Sequence, residues 1–276
     1  MQPRIVLVTG ASSGIGEKIA RLLVRRGDFP ILVARRSEAL QRLIRELGTG
    51  AAYPCDVTDG DSVRELVEQV KQTWERIDVL INNAGYGLFG GALEIPMSDY
   101  EGMIQTNYLG TVRLTRAVIP LMLEAGGGRI VNIASVAGLT GSPNLAAYCA
   151  SKYALLGFSE SLDLEFAPTI RVGVLCPGPV QTPFFRGEDP SRLFPAPIAR
   201  RLLDPDTVAR HAIGLIDRPR VLVVPRIFAP ALAFRALFPR IYRKIAKRLY
   251  DHHFQRQKTA GESPVADSSS STSIEK

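Results

Sequence analysis

Seven short apolar runs alternate along this chain with longer segments of helical length. Continuous Val/Ile/Leu runs without polar alternation are typical of strands buried on both faces of a parallel sheet. The segments 14–27, 60–75 and 98–124 have helical periodicity and predict crossover helices. This order predicts an α/β fold, a doubly wound parallel sheet of about seven strands. The predicted strands lie in the stretches RIVLVTG, PILVARR, AAYPCDV, DVLINNAG, GRIVNIAS, IRVGVLCPG and RVLVVP.

The size and composition of the chain predict a single globular domain. Its 276 residues are many for one domain and few for two, and an apolar content of 46% supplies a full core. The first residues run into an apolar strand without a basic region or cleavage site, so we expect no secretory signal. Cys55, Cys149 and Cys176 have neither disulfide-framework nor metal-ligand spacing, and no metal site is expected. Buried thiols fit a reducing compartment, so a cytoplasmic location is expected.

Positive charge is concentrated towards the C-terminus. Residues 226–258 contain nine Lys or Arg and one acid, so they carry more than the whole formal net charge of +7. The rest of the chain gives no support for a basic nucleic-acid surface, and no nucleic-acid partner is expected. Residues 259–276 are Ser-rich and unpatterned, which predicts a disordered tail. We therefore divide the chain into a globular domain (1–225), a basic and apolar extension (226–258) and the tail (259–276).

The extension contains a segment with the pattern of an interfacial helix. A helical projection of RIYRKIAKRLY places Ile241, Tyr242, Ile245 and Leu249 in one sector. The opposite side is basic and consists of Arg240, Arg243, Lys244, Lys247 and Arg248. This pattern predicts contact with an anionic membrane surface. Packing of the apolar stripe on the chain's own domain or on a second subunit is an equal alternative. No apolar run is long enough to span a bilayer.

Three glycines stand between the first predicted strand and the following helix. Gly10, Gly14 and Gly16 occur in TGASSGIG with the spacing GxxxGxG. Glycines there permit a tight turn and allow backbone N–H groups to approach a pyrophosphate at a helix N-terminus. A tight turn without a ligand is the alternative. Because open sheets bind ligands at the carboxyl ends of their strands, the position favours a dinucleotide site.

The end of the second predicted strand indicates which dinucleotide to expect. An acid in this region holds a free ribose 2′-hydroxyl, whereas an arginine holds a 2′-phosphate. Arg35 and Arg36 follow the strand here, and the first acid is Glu38. NADP(H) is therefore expected over NAD(H), although exposed arginines also simply solvate loops. Asp56, after the third strand, is a candidate acceptor for the adenine amino group or a cap of the next helix.

Ser135, Tyr148 and Lys152 combine a strand-end hydroxyl with a tyrosine and a lysine at helical spacing. Tyr148 alone among the eight tyrosines has a lysine four residues later. The two lie on one helix face, and a neighbouring ammonium favours the phenolate and lowers the tyrosine pKa from about 10. The set predicts a proton donor and acceptor for carbonyl reduction. A buried tyrosine beside a solvated lysine is the structural alternative.

Together these motifs resemble the short-chain dehydrogenase/reductase family over residues 4–225. TGASSGIG, CDV, NNAG, TNYLG and PGPVQT occur in the family's order. The resemblance implies a Rossmann-like sheet with strand order 3-2-1-4-5-6-7 and a homodimer or homotetramer. It implies that Tyr148 is the general acid and base, Ser135 orients the carbonyl, and Lys152 holds the nicotinamide ribose and tunes the tyrosine. It also matches Asn107 to the catalytic asparagine that anchors a proton-relay water.

The resemblance implies a set of cofactor contacts. They are Gly10, Ser12, Ser13, Gly14, Ile15, Gly16, Arg35, Arg36, Asp56, Val57, Asn83, Ala84, Gly85, Tyr148, Lys152, Pro177, Gly178, Val180 and Thr182. The extension after the seventh strand departs from many family members and puts the usual C-terminal packing and tetramer in doubt.

The expected activity is NADP(H)-dependent interconversion of a carbonyl and an alcohol on a lipophilic substrate, such as an acyl chain, sterol or retinoid. The predicted lid over 184–203 is rich in Phe, Leu and Pro. Ordinary core contacts explain that content equally. A 3-oxoacyl-carrier-protein reductase ranks second, because the segment YGLFGGALEIP is unlike the one typical of those enzymes. A nucleotide-binding sensor or scaffold without catalysis is the alternative from another class.

Overall fold

The computed structural model describes residues 2–185 and 188–259, without the side chains of residues 183 and 256–259. The tail predicted over 259–276 therefore lies, but for its first residue, outside the described residues. Residues 186–187 of the predicted lid also lie outside them.

A seven-stranded sheet in the order β3-β2-β1-β4-β5-β6-β7 forms the centre of the molecule. All of its pairings are parallel within the described residues. Val6, Leu7 and Val8 are fully buried although alternate side chains point to opposite faces, so both faces of β1 are covered. The predicted fold class and strand order are confirmed. The strands are β1 (Ile5–Thr9), β2 (Phe29–Ala34), β3 (Ala51–Pro54), β4 (Val79–Asn82), β5 (Gly128–Ile133), β6 (Ile170–Pro177) and β7 (Val221–Val224).

Helices cover the two faces of the sheet. Their bounds are α1 (Gly14–Arg25), α2 (Ser37–Leu47), α3 (Gly60–Trp74), α4 (Met97–Ile104), α5 (Gly110–Glu124), α6 (Ala146–Phe166), α7 (Pro190–Leu193), α8 (Ala196–Ala199), α9 (Pro205–Asp217), α10 (Phe228–Leu237) and α11 (Pro239–Thr259). Apolar residues of α1, α2 and α9 form the core on one face. Those of α3, α5 and α6 form the core on the other. Because the strands are parallel, the loop after each strand lies at the same side of the sheet, at the carboxyl ends of the strands.

The single helix predicted over 98–124 is interrupted. A π-helical turn, Gln105–Leu109, separates α4 from α5. Such a turn widens the helix by one residue and occurs mostly as a single bulge at functional sites. Asn107 at its centre donates from Nδ2 to the carbonyl oxygen of Tyr86 (2.9 Å) and accepts at Oδ1 from the Tyr86 N–H (2.9 Å). The interruption is thus tied to the loop after β4.

The C-terminal extension folds back over the loop that follows β5. The Tyr242 hydroxyl lies 3.1 Å from Thr140 Oγ1, and the Tyr250 hydroxyl lies 2.7 Å from Ser142 Oγ. Tyr250 is buried. Within the part of the chain that the structure describes, no helix is long and apolar enough to cross a membrane.

The apolar stripe predicted on this helix lies partly over a cavity of the domain and partly at the surface. Tyr242, Ile245 and Leu249 line a cavity of the domain, whereas Ile241 does not. Ile241 and Ile245 are about half exposed. The periodicity placed the four side chains in one sector. It could not show which of the four side chains would contact the domain and which would remain exposed.

Candidate active site

The glycine loop after β1 has the backbone that a dinucleotide site requires. Gly10 (φ +64°) and Gly14 (φ +59°) adopt left-handed conformations that residues with a Cβ rarely take. A Cβ on Gly16 would collide with the carbonyl oxygen of Gly10, so Gly16 closes the turn and does not face the ligand space. A Cβ on Gly14 would meet only Thr182 within 4 Å, at 3.5 Å, and it borders the cavity.

Side chains at the ends of β1 and β4 hold this loop in place. Thr9 Oγ1 accepts hydrogen bonds from the N–H groups of Asn83 (2.9 Å) and Ala84 (3.0 Å). In return, Asn83 Nδ2 donates to the carbonyl oxygens of Thr9 (3.0 Å) and Gly10 (3.3 Å). Thr9 was not among the residues predicted from the sequence. The feature of the sequence that could have identified Thr9 is its position directly before the first glycine of the loop.

Positive charge lies beside the glycine loop. Arg36 Nη2 donates to Ser12 Oγ (3.2 Å) and to Ser13 Oγ (3.5 Å). Ser13 is the N-cap of α1, yet its side chain makes no capping bond, so the first N–H groups of α1 are available to an anion at the loop. Arg35 lines the same space. This end of the site therefore suits a phosphorylated ligand.

Asp56 lies at the same end and does not cap the following helix. Its Oδ1 accepts from the N–H (2.9 Å) and the hydroxyl (2.8 Å) of Thr58. The cap of α3 is Asp59, which accepts from the N–H of Asp61 (3.0 Å). Of the two roles predicted for Asp56, the capping role is therefore wrong.

One cavity of about 1020 Å³ joins these groups to the predicted catalytic set. Ser135 and all predicted cofactor residues except Gly16 line it, whereas Asn107 does not. Left-handed glycines, an uncapped helix N-terminus and paired arginines fit a nicotinamide dinucleotide phosphate. The predicted cofactor residues that line it are Gly10, Ser12, Ser13, Gly14, Ile15, Arg35, Arg36, Asp56, Val57, Asn83, Ala84, Gly85, Tyr148, Lys152, Pro177, Gly178, Val180 and Thr182.

Tyr148 and Lys152 are both buried near the middle of the cavity. Burial raises the pKa of Tyr148 above its ordinary value, while a hydrogen bond with Ser135 acts in the opposite direction. Lys152 Nζ donates to the carbonyl oxygen of Ile133 (2.9 Å), lies 5.9 Å from the centre of the Tyr148 ring, and has its pKa lowered to about 8 by burial. The predicted lowering of the tyrosine pKa by Lys152 is therefore wrong: burial raises this pKa, and the hydrogen bond with Ser135, not the ammonium of Lys152, acts against burial. Tyr148 is a neutral phenol at pH 7, the form that gives a proton to a carbonyl.

Asn107 is linked to the backbone of Tyr148 through Ser151. It is fully buried, and its Nδ2 also donates to Ser151 Oγ (3.0 Å), which donates to the backbone oxygen of Tyr148 (2.8 Å). Its side chain therefore links the π-helical turn to the start of α6. The predicted anchoring of a relay water stays a prediction. Ser151 was missed, because a serine three residues after Tyr148 has no distinctive pattern.

Aromatic side chains wall the cavity beside Tyr148. The rings of Phe184 and Phe185 meet the Tyr148 ring edge-on, at 5.5 and 6.1 Å between centres. Gly87 makes room for them, since a Cβ there would lie 2.9 and 2.8 Å from the two rings. Phe194 extends the wall.

The wall continues onto α10 and α11, which sequence reasoning did not include in the site. The residues that these helices contribute to the cavity lining are mostly apolar. They are Phe228, Ala231, Tyr242, Ile245, Ala246, Leu249 and Tyr250.

Comparison with known proteins decides the family. The profile of the family described as short chain dehydrogenase matches residues 4–192. This protein belongs to the short-chain dehydrogenase family. A curated relative, 3-ketodihydrosphingosine reductase of Bacteroides thetaiotaomicron, is 40% identical over 195 residues, which are 70% of each chain.

Solved structures of short-chain dehydrogenases have the same fold. One from Streptomyces avermitilis superposes with a TM-score of 0.76 at 32% identity and covers 90% of this chain and 98% of its own. A variant of actinorhodin polyketide ketoreductase, solved with NADPH, gives a TM-score of 0.74 at 34% identity over 80% of this chain and 95% of its own. The predicted family and its oxidoreductase class are confirmed. Within the described residues, no group of His, Cys, Asp and Glu could hold a metal ion.

Proposed function

We propose that this short-chain dehydrogenase is an NADPH-dependent reductase of a lipophilic ketone or aldehyde. One observation carries the proposal. Tyr148 and Ser135 line one cavity that has Arg35 and Arg36 beside the glycine loop and an aromatic wall packed against Tyr148. The arginines beside the glycine loop suit the cofactor, and the aromatic wall suits a substrate that gains by leaving water.

The side chains divide the work of reduction between them. NADPH, when bound, supplies a hydride. Tyr148 donates its phenolic proton to the carbonyl oxygen, and Ser135 donates a hydrogen bond to the same oxygen and so stabilises developing negative charge. Lys152, fixed by its bond to the backbone of Ile133, would hold the ribose of the cofactor. The rings of Phe184 and Phe185 exclude water from the tyrosine.

Removal of the Tyr148 hydroxyl tests the proposed reaction. We expect Tyr148→Phe to slow turnover at least about 10²-fold, the usual scale for a lost general acid, while NADPH binding stays nearly intact. NADPH oxidation is followed by absorbance against carbonyls running from short ketones to long-chain and steroid ketones. Tyr153→Phe, one helical turn away, is the matched control. If Tyr148→Phe kept more than about a third of the wild-type turnover, the assignment would be wrong.

The paired arginines support NADPH over NADH. A charged hydrogen bond to a phosphate contributes about 1.5–3 kcal/mol, so we expect NADPH to bind at least about tenfold more tightly than NADH. Arg36→Asp should remove most of that difference by weakening NADPH alone. Arg42→Asp carries the same charge change on the exposed side of α2 and should not. Equal dissociation constants for the two cofactors in the wild-type protein would overturn the preference.

Two further parts of the proposal concern the setting of the enzyme. The homodimer or homotetramer implied by the family resemblance stays a prediction. Contact of residues 226–258 with an anionic membrane surface likewise stays a prediction.

A further inference from the structure

The two C-terminal helices expose a run of large apolar side chains. Leu237 is 73% exposed, Phe238 49%, Ile241 50% and Ile245 56%. They follow one another through the end of α10 and the first turns of α11. We call this surface, with the basic residues between them, the C-terminal face. A cluster of exposed apolar side chains is a usual mark of an interaction site.

The apolar side chains stand among cations. The basic residues of this stretch of α11 are exposed: Arg240, Arg243, Lys244, Lys247 and Arg248. Within the described part of the chain, Lys247 is paired with Asp251 (2.9 Å), whereas Lys244 and Arg248 have no carboxylate partner. The C-terminal face is therefore positive as well as apolar.

The active-site cavity ends at this face. Ile245 is half exposed and also lines the cavity, with Tyr242 and Leu249 beside it on the inner side of α11. A molecule at the C-terminal face thus meets the rim of the space that leads to Tyr148.

We propose that the C-terminal face docks on an anionic lipid bilayer, with the cavity rim at Ile245 turned towards the lipid. The lipid-accessible rim rests on the proposed function; the docking itself does not. A second copy of the chain is disfavoured as the occupant, because a two-fold contact would bring the same cations together. Anionic headgroups match the cations, and the acyl region accepts the exposed isoleucines and phenylalanine.

Sedimentation with vesicles tests the docking. We expect the full-length protein to pellet at low salt with vesicles of phosphatidylglycerol and phosphatidylcholine in equal parts, and to stay in solution with phosphatidylcholine alone. Reversing two surface charges, Lys244→Glu with Arg248→Glu, should lower the partition onto anionic vesicles at least about tenfold. Neither side chain lines the cavity. Arg218→Glu with Arg220→Glu makes the same charge change just before the amino end of β7, whereas α10 and α11 follow its carboxyl end. This variant should leave the partition onto anionic vesicles within about twofold of wild type.

Turnover of a short, water-soluble ketone separates this proposal from the proposed function. Both double variants should keep wild-type turnover, which also shows that they are folded. The docking is overturned if the wild-type protein stays in solution with anionic vesicles at low salt, or if the two double variants pellet alike. If self-association in sedimentation depends on Lys244 and Arg248 while vesicles do not bind, the face is a subunit contact and the proposal is lost. Pelleting without carbonyl turnover would reject the reductase function and leave the docking standing.

Discussion

Lys152 is a buried cation at the edge of the active-site cavity. It is 3% exposed, its ammonium donates to one backbone oxygen of β5, and burial lowers its pKa from 10.5 to about 8. At neutral pH the folded protein therefore carries a charge whose desolvation works against folding. Under the proposed function this ammonium holds the ribose of the cofactor, which explains why a buried charge is present.

Replacing this lysine should make the protein more stable at neutral pH. The folded pKa lies below the unfolded one, so between pH 8 and 10.5 the unfolded chain binds more protons and stability rises with pH. Below about pH 8 the penalty is present in full. We expect Lys152→Met, which lacks the charge, to exceed wild type by about 2 kcal/mol in the free energy of unfolding at pH 7, after the loss of one hydrogen bond.

Urea denaturation followed by circular dichroism at pH 7, 8, 9 and 10 measures this difference. The difference should stay nearly constant from pH 7 to about pH 8 and shrink from there to pH 10, and turnover should be lost at every pH. Parallel stability curves for the two proteins would contradict the buried-charge interpretation.

Helix α11 is attached to the domain by a small number of contacts. Two phenol–hydroxyl bonds tie it to the loop after β5, and the Phe254 ring packs against Phe89 at 6.3 Å. Tyr250 is the one residue of α10 and α11 that is buried among the side chains described. The element therefore opens more easily than the sheet does, because few apolar contacts hold it.

Tyr250→Phe should loosen this helix without affecting the sheet. Losing a hydrogen bond of this kind costs about 0.5–1.5 kcal/mol, so we expect the amides of α11 to exchange with solvent about three- to tenfold faster. Hydrogen–deuterium exchange with mass spectrometry measures the change. Tyr100→Phe removes a phenol bond to the carbonyl oxygen of Ala92 (3.2 Å), a bond in which α11 takes no part, and serves as the control. Unchanged exchange in α11 would show that the bond does not restrain it.

At the scale of the whole molecule, local patterns predicted the sheet and the middle of the site. Apolar runs predict β1, β2, β4, β5 and β6 well because these strands are buried on both faces. The turn after β1 needs left-handed backbone at positions 10 and 14, and glycine is the residue that adopts it readily. The spacing of Tyr148 and Lys152 is a helical repeat. These properties depend on neighbours in the sequence, so they could be read without the tertiary structure.

The parts that escaped prediction depend on distant contacts. The π-helical turn is fixed by bonds from Asn107 to Tyr86, 21 residues away, and a periodic pattern over 98–124 carries no sign of it. The low pKa of Lys152 comes from burial, which spacing does not determine. The amphipathic pattern of α11 does not indicate which surface covers its apolar side. The bonds of Tyr242 and Tyr250 to the loop after β5 show that the inner side of the helix faces the domain. They do not show what contacts the outer side.

Helices α10 and α11, which line one side of the cavity, are synthesised after the seven strands of the sheet. Domains form from the N-terminus during synthesis, and β7 ends at Val224, before any residue of α10 or α11 has been added. The sheet, the glycine loop and Tyr148 can therefore be in place while the cavity still lacks one side. A nascent chain stopped at that stage would lack the mostly apolar side chains that α10 and α11 add to the cavity lining, so the apolar surface opposite them would meet water. Helices α10 and α11, which are translated after β7, thus complete one wall of the cavity.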